Sequence, residues 1–515
     1  MLILRVVVGA AVLAGGIVLA GAADVFSIHD AIKEAVRTNP GVSEASANRR
    51  ATEAELRQAQ GVLLPQVRLD ASAGPEKLKR YVLPQPTDNG VYQRGREASI
   101  VIRQTLFDGF ASINEIWRQA ARVDAAALRV LERTELIALD ATEAYIDMVR
   151  YQRLVALAEE NLKVHFGVRE NVRARFRGGR AGEGDNQQAE ERVASAQAVL
   201  EEFRLSLETA RAKYRKVVGI EPYNLRFPGR LSGLPRSKDE SLAIAVRYNP
   251  TIRAAQADVD AAKHAFNATA GAFVPQVSLE GRATRGADSV LYSGQYDEVS
   301  GKVVMSWDIF RGGQDSWKRK EAAERMIEET QKHARLQRDA VEALDKAWAA
   351  RTITTDRVAA LAREVEAARR TYAAYNKEYE LGQRTLIDTL NAQNQFFNAE
   401  VSLVSARGTA VFADYQLLAA MGHLLSFLKT APPPEVDVLE TKPFGFVPIK
   451  FPPIILSAPA PGPEPLNATG ARPDWLDSFL PSNQQAVLSA WDPWPKTGPR
   501  ATATAEDYMT NSLHR

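Results

Sequence analysis

Apolar residues recur along most of this chain with a helical period. In the proline-free windows 87–221 and 276–431 they return at steps of three, four and seven. One such set is Leu128, Leu131, Ala138, Ala141, Tyr145, Met148 and Val155. Residues 111–176 contain no strong helix breaker, and as one helix they would extend about 100 Å. A helix of that length cannot bury its flanks inside a compact globule, so the pattern predicts long helices that pack along one another.

A period of two residues replaces the helical period in four shorter segments. These segments are about 66–74, 97–106, 276–285 and 298–309. In the first of them, for example, Val67 and Leu69 alternate with Arg68 and Asp70. One apolar and one charged face over about ten residues is typical of strands in a membrane barrel. A soluble hairpin packed on a core is the alternative interpretation of each strand.

The pattern occurs twice. Asn39-Pro40 returns as Asn249-Pro250, and Leu64-Pro65-Gln66 returns as Val274-Pro275-Gln276, both 210 positions later. From the next motif onward the offset is 203: Phe107 corresponds to Phe310, and the turn residues Phe176, Gly179 and Asp185 correspond to Tyr379, Gly382 and Asp388. Because a repeat determines architecture before any single residue is interpreted, we expect two halves with the same fold.

The repeat and the prolines divide the chain into segments. The first structural repeat is residues 24–218, the second is 239–426, and the prolines of 219–238 predict an irregular belt between them. Besides the long helix, each repeat has shorter helical stretches. They are about 28–61 and 186–218 in the first repeat, and 239–271 and 385–426 in the second.

The two ends of the chain differ from the repeats. Residues 1–23 combine Arg5, an apolar run and small residues, which predicts a secretory signal peptide, with a single membrane helix as the alternative. Residues 430–515 hold 16 of the 26 prolines. We expect residues 427–515 to form a periplasmic, largely disordered tail.

Composition excludes several classes of function. The 65 basic and 63 acidic side chains give a formal net charge of +2, so nothing points to a nucleic-acid partner. The absence of cysteine excludes disulfides and thiolate metal sites. The six histidines show no metal-ligand spacing and no glycine loop is followed by Lys-Ser/Thr, so we expect no enzyme site, no metal and no cofactor.

The order of these elements resembles the TolC family of outer-membrane efflux and type I secretion channels. The resemblance covers roughly residues 24–426 and depends on five motifs. They are Asn39-Pro40, Leu64-Pro65-Gln66, Leu106-Phe107-Asp108-Gly109, Phe310-Arg311-Gly312-Gly313 and Tyr379 through Asp388. It implies a mainly α chain with four transmembrane strands, and a homotrimer with a 12-stranded β-barrel continued by a long periplasmic α-helical barrel. Independently of the resemblance, four strands cannot close a barrel and an open sheet edge is untenable in lipid, so strands in a membrane require an oligomer.

The resemblance also implies a function and partners. It places the protein in the outer membrane of a Gram-negative bacterium, in contact with outer-membrane lipid, with its helical part in the periplasm. The protein would be the exit duct of a tripartite efflux pump, of type I protein secretion, or of both. This passive pore would be opened at its periplasmic end by a periplasmic adaptor (membrane fusion) protein and an inner-membrane transporter of the RND or ABC type. A structural coiled-coil protein of the cell envelope is the alternative function.

The two turns are the candidate functional site. Gly179 and Gly382 allow each long helix to reverse, since a helix closes most easily with a residue of positive φ. Asp185 and Asp388 are placed to cap the return helices. The resemblance adds a periplasmic gate lock, in which Tyr379 and Arg384 bond to Asp185.

The resemblance also implies a pore constriction and a junction between barrel and tunnel. Asp388 matches a pore-facing carboxylate, and Asn391 stands where well-known members of the family carry a second aspartate, which would leave one acidic ring. Pro65, Phe107, Pro275 and Phe310 mark the expected junction, where strands meet helices.

Overall fold

A computed structural model describes residues 25–77, 79–82, 85–88, 93–289 and 292–439. The predicted signal peptide and residues 440–515 of the predicted tail lie outside the described residues. None of the helices in these ranges has both the length and the apolar character needed to cross a bilayer.

The described elements follow the predicted repeat of helices, strands, long helix and return helix. The helices are α1 (Ile28–Thr38), α2 (Pro40–Gly61), α3 (Ala111–Arg177), α4 (Glu183–Val218), α5 (Lys238–Tyr248), α6 (Pro250–Ala268), α7 (Gln314–Glu380), α8 (Leu386–Ala420) and α9 (Leu424–Phe427). The strands are β1 (Gln66–Glu76), β2 (Lys79–Val82), β3 (Gln85–Asp88), β4 (Gln93–Phe107), β5 (Gln276–Ser289) and β6 (Tyr292–Ser306). The long helices α3 and α7 have 67 residues each. The small β2–β3 pair, which the sequence did not predict, lies in the first repeat and has no counterpart among the described residues of the second.

The helices predicted over 28–61 and 239–271 are each broken in two, which corrects the sequence interpretation. Asn39 and Asn249 have extended ψ angles of 126° and 122°, and each is followed by the first residue of a new helix. A proline pushes the residue before it out of the helical region, yet fits the first turn of a helix itself. Both asparagine side chains accept a backbone N–H at 2.9 Å, from Gly41 and from Thr251. The Asn-Pro pairs are therefore helix boundaries.

Four strands form one antiparallel sheet in the order β1-β4-β5-β6. Its register aligns Leu69, Ile100, Ala283 and Val299 in one row across all four strands, on a single face of the sheet. The strand predicted to reach 309 ends at Ser306, whose partner is Gln276. Pro275 has no N–H to donate to a further ladder bond, so the pairing stops there.

The sheet has an inverted distribution of polarity. On the apolar face Leu69 is 70% and Val299 is 84% exposed. On the opposite face the hydroxyl residues Ser99 and Thr284 are only 3% and 7% exposed. A sheet on a soluble core buries its apolar side chains instead. The outward apolar face of this sheet is therefore suited to a hydrocarbon surrounding.

By its internal contacts the chain divides into two compact units. Of the described residues, the strand unit comprises those within 44–133, 233–342 and 421–439, and contains the four-stranded sheet. The turn unit comprises 25–43, 134–232 and 343–420, and contains the helix reversals after α3 and α7. Each unit has its own buried clusters.

In the strand unit, residues 430–439 of the predicted tail are packed rather than loose. Val436, Val438 and Leu439 are buried in three separate apolar clusters with residues of α2, α3 and α6. The backbone N–H of Leu439 donates to the carboxylate of Asp124, and the Arg50 guanidinium pairs with Glu435. The prediction of a largely disordered tail is therefore wrong for the described residues 430–439.

In the turn unit, a buried tyrosine ties two irregular segments to α3. The Tyr145 hydroxyl lies 2.8 Å from the carbonyl oxygen of Phe26 and 3.0 Å from that of Arg226, and it accepts the Arg226 N–H at 3.1 Å. Tyr145, Tyr214 and Tyr415 are among the largest fully buried side chains of the described chain. This contact holds the belt against the helices.

A buried carboxylate fixes the belt at a second point of the turn unit. Asp414 of α8 accepts two hydrogen bonds from Arg230, at 2.6 and 2.8 Å, and one from the Leu231 N–H at 3.2 Å. The Nε atom of Arg351, in α7, lies 3.3 Å from the Oδ1 atom of the same carboxylate. The hydrogen bond to Asp414 raises the pKa of Arg230 above its usual value. A buried charge is tolerated when it is paired and hydrogen-bonded in this way.

Replacing Tyr145 by Phe is expected to loosen the belt. The change leaves the Arg226 N–H without its acceptor and removes the single O–H that the Phe26 and Arg226 carbonyls share, which costs about 1 to 3 kcal/mol. Limited trypsin digestion should then cut faster after Arg226. Tyr223→Phe, at an exposed tyrosine of the same segment, is the matched control. Equal digestion of the two variants would contradict the role assigned to Tyr145.

Candidate functional site: the helix-reversal turns of the two repeats

Both long helices end with the same backbone motif. Gly179 and Gly382 have φ angles of +68° and +75°. The next N–H returns to the carbonyl five residues earlier, from Arg180 to Arg175 at 2.8 Å and from Gln383 to Glu378 at 2.9 Å. These are Schellman motifs, which need a residue that adopts positive φ without strain. The two turn glycines therefore have the backbone role that the sequence predicts for them.

The two return helices begin with different chemistry. Gly182 precedes α4 and offers no side-chain cap, although Glu183 and Asp185 lie in the first turn, where a carboxylate is favoured by the helix dipole. Before α8, the Thr385 hydroxyl accepts the Asp388 N–H at 3.3 Å and donates to the Asp388 carboxylate at 2.7 Å. Asp388 is thus part of a capping pair, and Asp185 shows no side-chain hydrogen bond in the described chain.

Arg384 is bound inside its own turn. Its Nε and Nη2 atoms lie 2.9 and 2.8 Å from the Oε2 atom of Glu378. Its guanidinium carbon stands 4.0 Å above the centre of the Tyr375 ring, within cation–π range. The hydrogen bond with Glu378 raises the pKa of Arg384 above its usual value. Both contacts come from the last turns of α7.

Tyr379 packs into the helices that surround the turns. It lies against an apolar cluster of Val172, Ala189, Leu386 and Leu390, and its ring carries the Arg175 guanidinium at 4.6 Å. Since Val172 and Ala189 flank the first turn and Leu386 and Leu390 follow the second, this cluster brings both turns to the same end of the turn unit. The hydrophobic pattern alone could not show this.

The predicted gate residues share a neighbourhood but are not bonded as one group within the chain. Among the described residues, no hydrogen bond or ion pair joins Asp185 to Tyr379 or Arg384. Sequence reasoning missed Glu378, Tyr375 and Thr385. The spacing of Thr385 and Asp388 is that of a capping box and could have been recognised. The partner of Arg384 had no such signal, because Glu380 and Asp388 lie nearer to it in sequence than Glu378 does.

The predicted constriction residues lie on one face of α8. Asp388 is half-buried and Asn391, three residues later, is exposed. Residues three apart on a helix are neighbours on its surface. A ligand or ion that approached this face would therefore meet one carboxylate and one amide.

The predicted junction residues lie at the ends of the sheet strands in the strand unit. Pro65 and Pro275 directly precede β1 and β5, Phe107 ends β4, and Phe310 lies exposed in the loop before α7. Phe107 packs edge-to-face on Phe110 at 5.6 Å. Exposed aromatic rings at strand ends are typical of the level where a membrane meets water.

The chain is similar to known proteins over both repeats. The sequence profile of the family described as outer membrane efflux protein matches residues 31–219 and 243–423. The chain is 29% identical over 425 residues to the outer membrane efflux protein BepC of Brucella suis biovar 1, which covers 81% of this chain and 90% of BepC. It is 21% identical over 415 residues to the outer membrane protein TolC of Escherichia coli, covering 76% of this chain and 81% of TolC.

A solved structure shares the fold. The outer membrane protein VceC of Vibrio cholerae superposes with a TM-score of 0.69 at 20% identity, over 77% of this chain and 96% of that chain. The two stretches matched by the family profile begin and end close to the two repeats read from the sequence. This chain belongs to the outer membrane efflux protein family and is a channel protein of the outer membrane.

Proposed function

We propose that three copies of this chain form a passive exit duct through the outer membrane for an efflux pump, for type I protein secretion, or for both. The inverted sheet carries the proposal. Its apolar face is exposed, and β1 and β6 are its edge strands. An unpaired edge is untenable in lipid, so β6 of one copy pairs with β1 of the next. Four strands in each of three copies make twelve, an even number within the range of such barrels.

The long helix of the second repeat supports the same assembly. Of the 67 residues of α7, only Leu344 and Ala347 are buried in the single chain. Trp317, Ile327 and Ile353 are exposed along it. A helix this long needs neighbouring helices along its flanks. In the proposed trimer, helices of adjacent copies supply them and enclose the duct.

A passive duct needs partners that deliver its substrate. We propose a periplasmic adaptor protein and an inner-membrane transporter, of the RND or ABC type, that act at the end formed by the two turns. Asp185, Tyr379 and Arg384 form the gate lock there, and Asp388 of the three copies forms an acidic constriction beside Asn391. The support is that one apolar cluster gathers both turns at one end of the turn unit.

Conduction in planar bilayers tests the duct. The purified protein should form water-filled pores, because the polar face of the sheet carries Arg103, Glu280 and Lys302 in one row across β4, β5 and β6. A trimer that never conducts, even with the gate residues replaced, would reject the proposal. A deletion strain then distinguishes efflux from protein secretion. Sensitivity to dyes and bile salts indicates that the duct serves an efflux pump, and loss of secreted proteins indicates that it serves type I secretion.

Val299→Arg is expected to impair assembly in the membrane. Val299 lies midway along β6 on the apolar face, where an arginine costs about 2 to 4 kcal/mol near the bilayer centre. The yield of heat-modifiable trimer in the outer-membrane fraction measures the effect. Glu298→Arg, on the adjacent residue and the opposite face, is the control. If both variants lost trimer equally, the assignment of the two faces would be wrong.

The double variant Tyr379→Phe, Arg384→Ser is expected to raise single-channel conductance several-fold without lowering trimer yield. Each charge-assisted hydrogen bond at the gate contributes about 1 to 3 kcal/mol, and the symmetry of the trimer applies the loss three times. Arg180→Ser removes an arginine from the other turn and serves as the control. Unchanged conductance in a normally assembled double variant would remove these residues from the gate.

Asp388→Asn is expected to weaken the cation preference of the pore and its block by multivalent cations. Three like carboxylates around one axis attract cations and repel anions, whereas an amide does not. Asn391→Asp, one helical turn later, should act in the opposite direction by adding a second ring. Reversal potentials in a salt gradient measure both variants. Ion selectivity that is the same in all three proteins would reduce Asp388 to its capping role.

A further inference from the structure

Arg384 is occupied on two sides by its own helix. The Nε–Nη2 edge of the guanidinium faces Oε2 of Glu378 at 2.9 and 2.8 Å, and the flat face covers the Tyr375 ring at 4.0 Å. The three side chains are half-buried. We call Glu378, Tyr375 and Arg384 the intrachain latch.

The contacts of Arg384 within the latch compete with the contacts that it could make to another carboxylate. Arginine offers its five N–H donors in a fixed fork, and a carboxylate binds most strongly to an edge that presents two of them. Glu378 uses the Nε–Nη2 edge. The Nη1–Nη2 edge stays available, but among the described residues it makes no bond to Asp185, so the lock with Asp185 requires Arg384 to move away from Glu378 and the Tyr375 ring.

The turn itself builds the latch. The Schellman motif folds Gln383 back so that its N–H meets the Glu378 carbonyl at 2.9 Å, and Arg384, the next residue, is carried onto the last turns of α7. The first repeat has the same backbone motif but lacks the side chains that form the latch. At the 203-residue offset, Val172, Arg175 and Ala181 stand in place of Tyr375, Glu378 and Arg384. The latch therefore belongs to the second repeat alone.

We propose that Glu378 sets the strength of the gate, as an intrachain competitor of Asp185 for Arg384. While Glu378 holds Arg384, the lock on Asp185 is open; when Glu378 releases it, the arginine is free to close the lock. The inference rests on the proposed gate and deepens it. Glu378, which is not part of the lock, determines how Arg384 divides between its two positions.

Glu378→Gln tests the proposal. Removal of the charge shifts Arg384 toward Asp185, so the residual opening of the closed pore should become rarer. A partly exposed ion pair stabilises by up to about 1 kcal/mol, which is a factor of up to about five in each copy, so the frequency of opening events should fall several-fold across the three copies. Glu380→Gln, two residues away in the same turn and with the same loss of charge, should behave like the wild-type protein. Tyr375→Leu, which removes the ring under Arg384, should act in the same direction as Glu378→Gln.

Combined variants show whether Glu378 acts through Arg384. In an Arg384→Ser background, Glu378→Gln should have no further effect. In the Glu378→Gln background, Asp185→Asn should restore the opening frequency, and in the wild-type background it should change that frequency less. An additive effect of Glu378→Gln on Arg384→Ser, or more frequent opening in Glu378→Gln alone, would overturn the competition.

The results separate the latch from the duct. If the pore conducts and Glu378→Gln equals Glu380→Gln, the latch has no role in the gate and the proposed function stands. If no variant conducts, including Tyr379→Phe with Arg384→Ser, the duct itself is rejected. Heat-modifiable trimer in the outer-membrane fraction verifies assembly of each variant before its conductance is compared.

Discussion

Backbone hydrogen bonding at the edges of the four-stranded sheet is the constraint on which the rest of this structure depends. The sheet has an apolar outer face, and β1 and β6 have no neighbour beyond them in the described chain. In hydrocarbon, each unpaired N–H or C=O costs several kcal/mol, at roughly the scale of a lost hydrogen bond in an apolar medium. Only further copies can supply the missing ladders. Since short loops (108–110 and 307–313) join β4 to α3 and β6 to α7, closure of the sheet would also set the starts of the long helices of neighbouring copies side by side.

In the turn unit, polar contacts fix the irregular belt, which helix packing alone does not hold in place. The belt has no regular ladder of its own, so its backbone groups need partners elsewhere. Tyr145 supplies them at Arg226 and also bonds to Phe26 outside the belt, and Asp414 supplies one at Leu231 while pairing with Arg230. Both anchors are buried, where hydrogen bonds are electrostatically stronger than in water. The irregular segment is therefore fixed to the helices that carry the turns.

At the turns, the two repeats share one backbone motif but differ in their side-chain contacts. Each turn needs one glycine at positive φ and closes with the same pair of backbone bonds. Only the second turn adds an arginine that is held by a carboxylate and a tyrosine ring of the preceding long helix. The half-buried, partly solvated position keeps this ion pair weak, and a weak pair is suited to the proposed gate, which partner proteins would open.

The sequence by itself determined the duplication, the 67-residue helices, the turn glycines and the strands with their apolar faces. These features depend on local backbone preference and on periodicity, which each segment carries alone. It also contained the signal for the helix breaks at Asn39 and Asn249, which the helical period masked. Only the tertiary structure decided that residues 430–439 pack across three helices, that Ser99 and Thr284 are buried, and that Arg384 pairs with Glu378. The first two outcomes depend on partners distant in sequence, and Arg384 pairs with Glu378 although Glu380 and Asp388 lie nearer to it in sequence. The energies of such alternatives differ by about 1 kcal/mol, and only the positions of the groups in space choose between them.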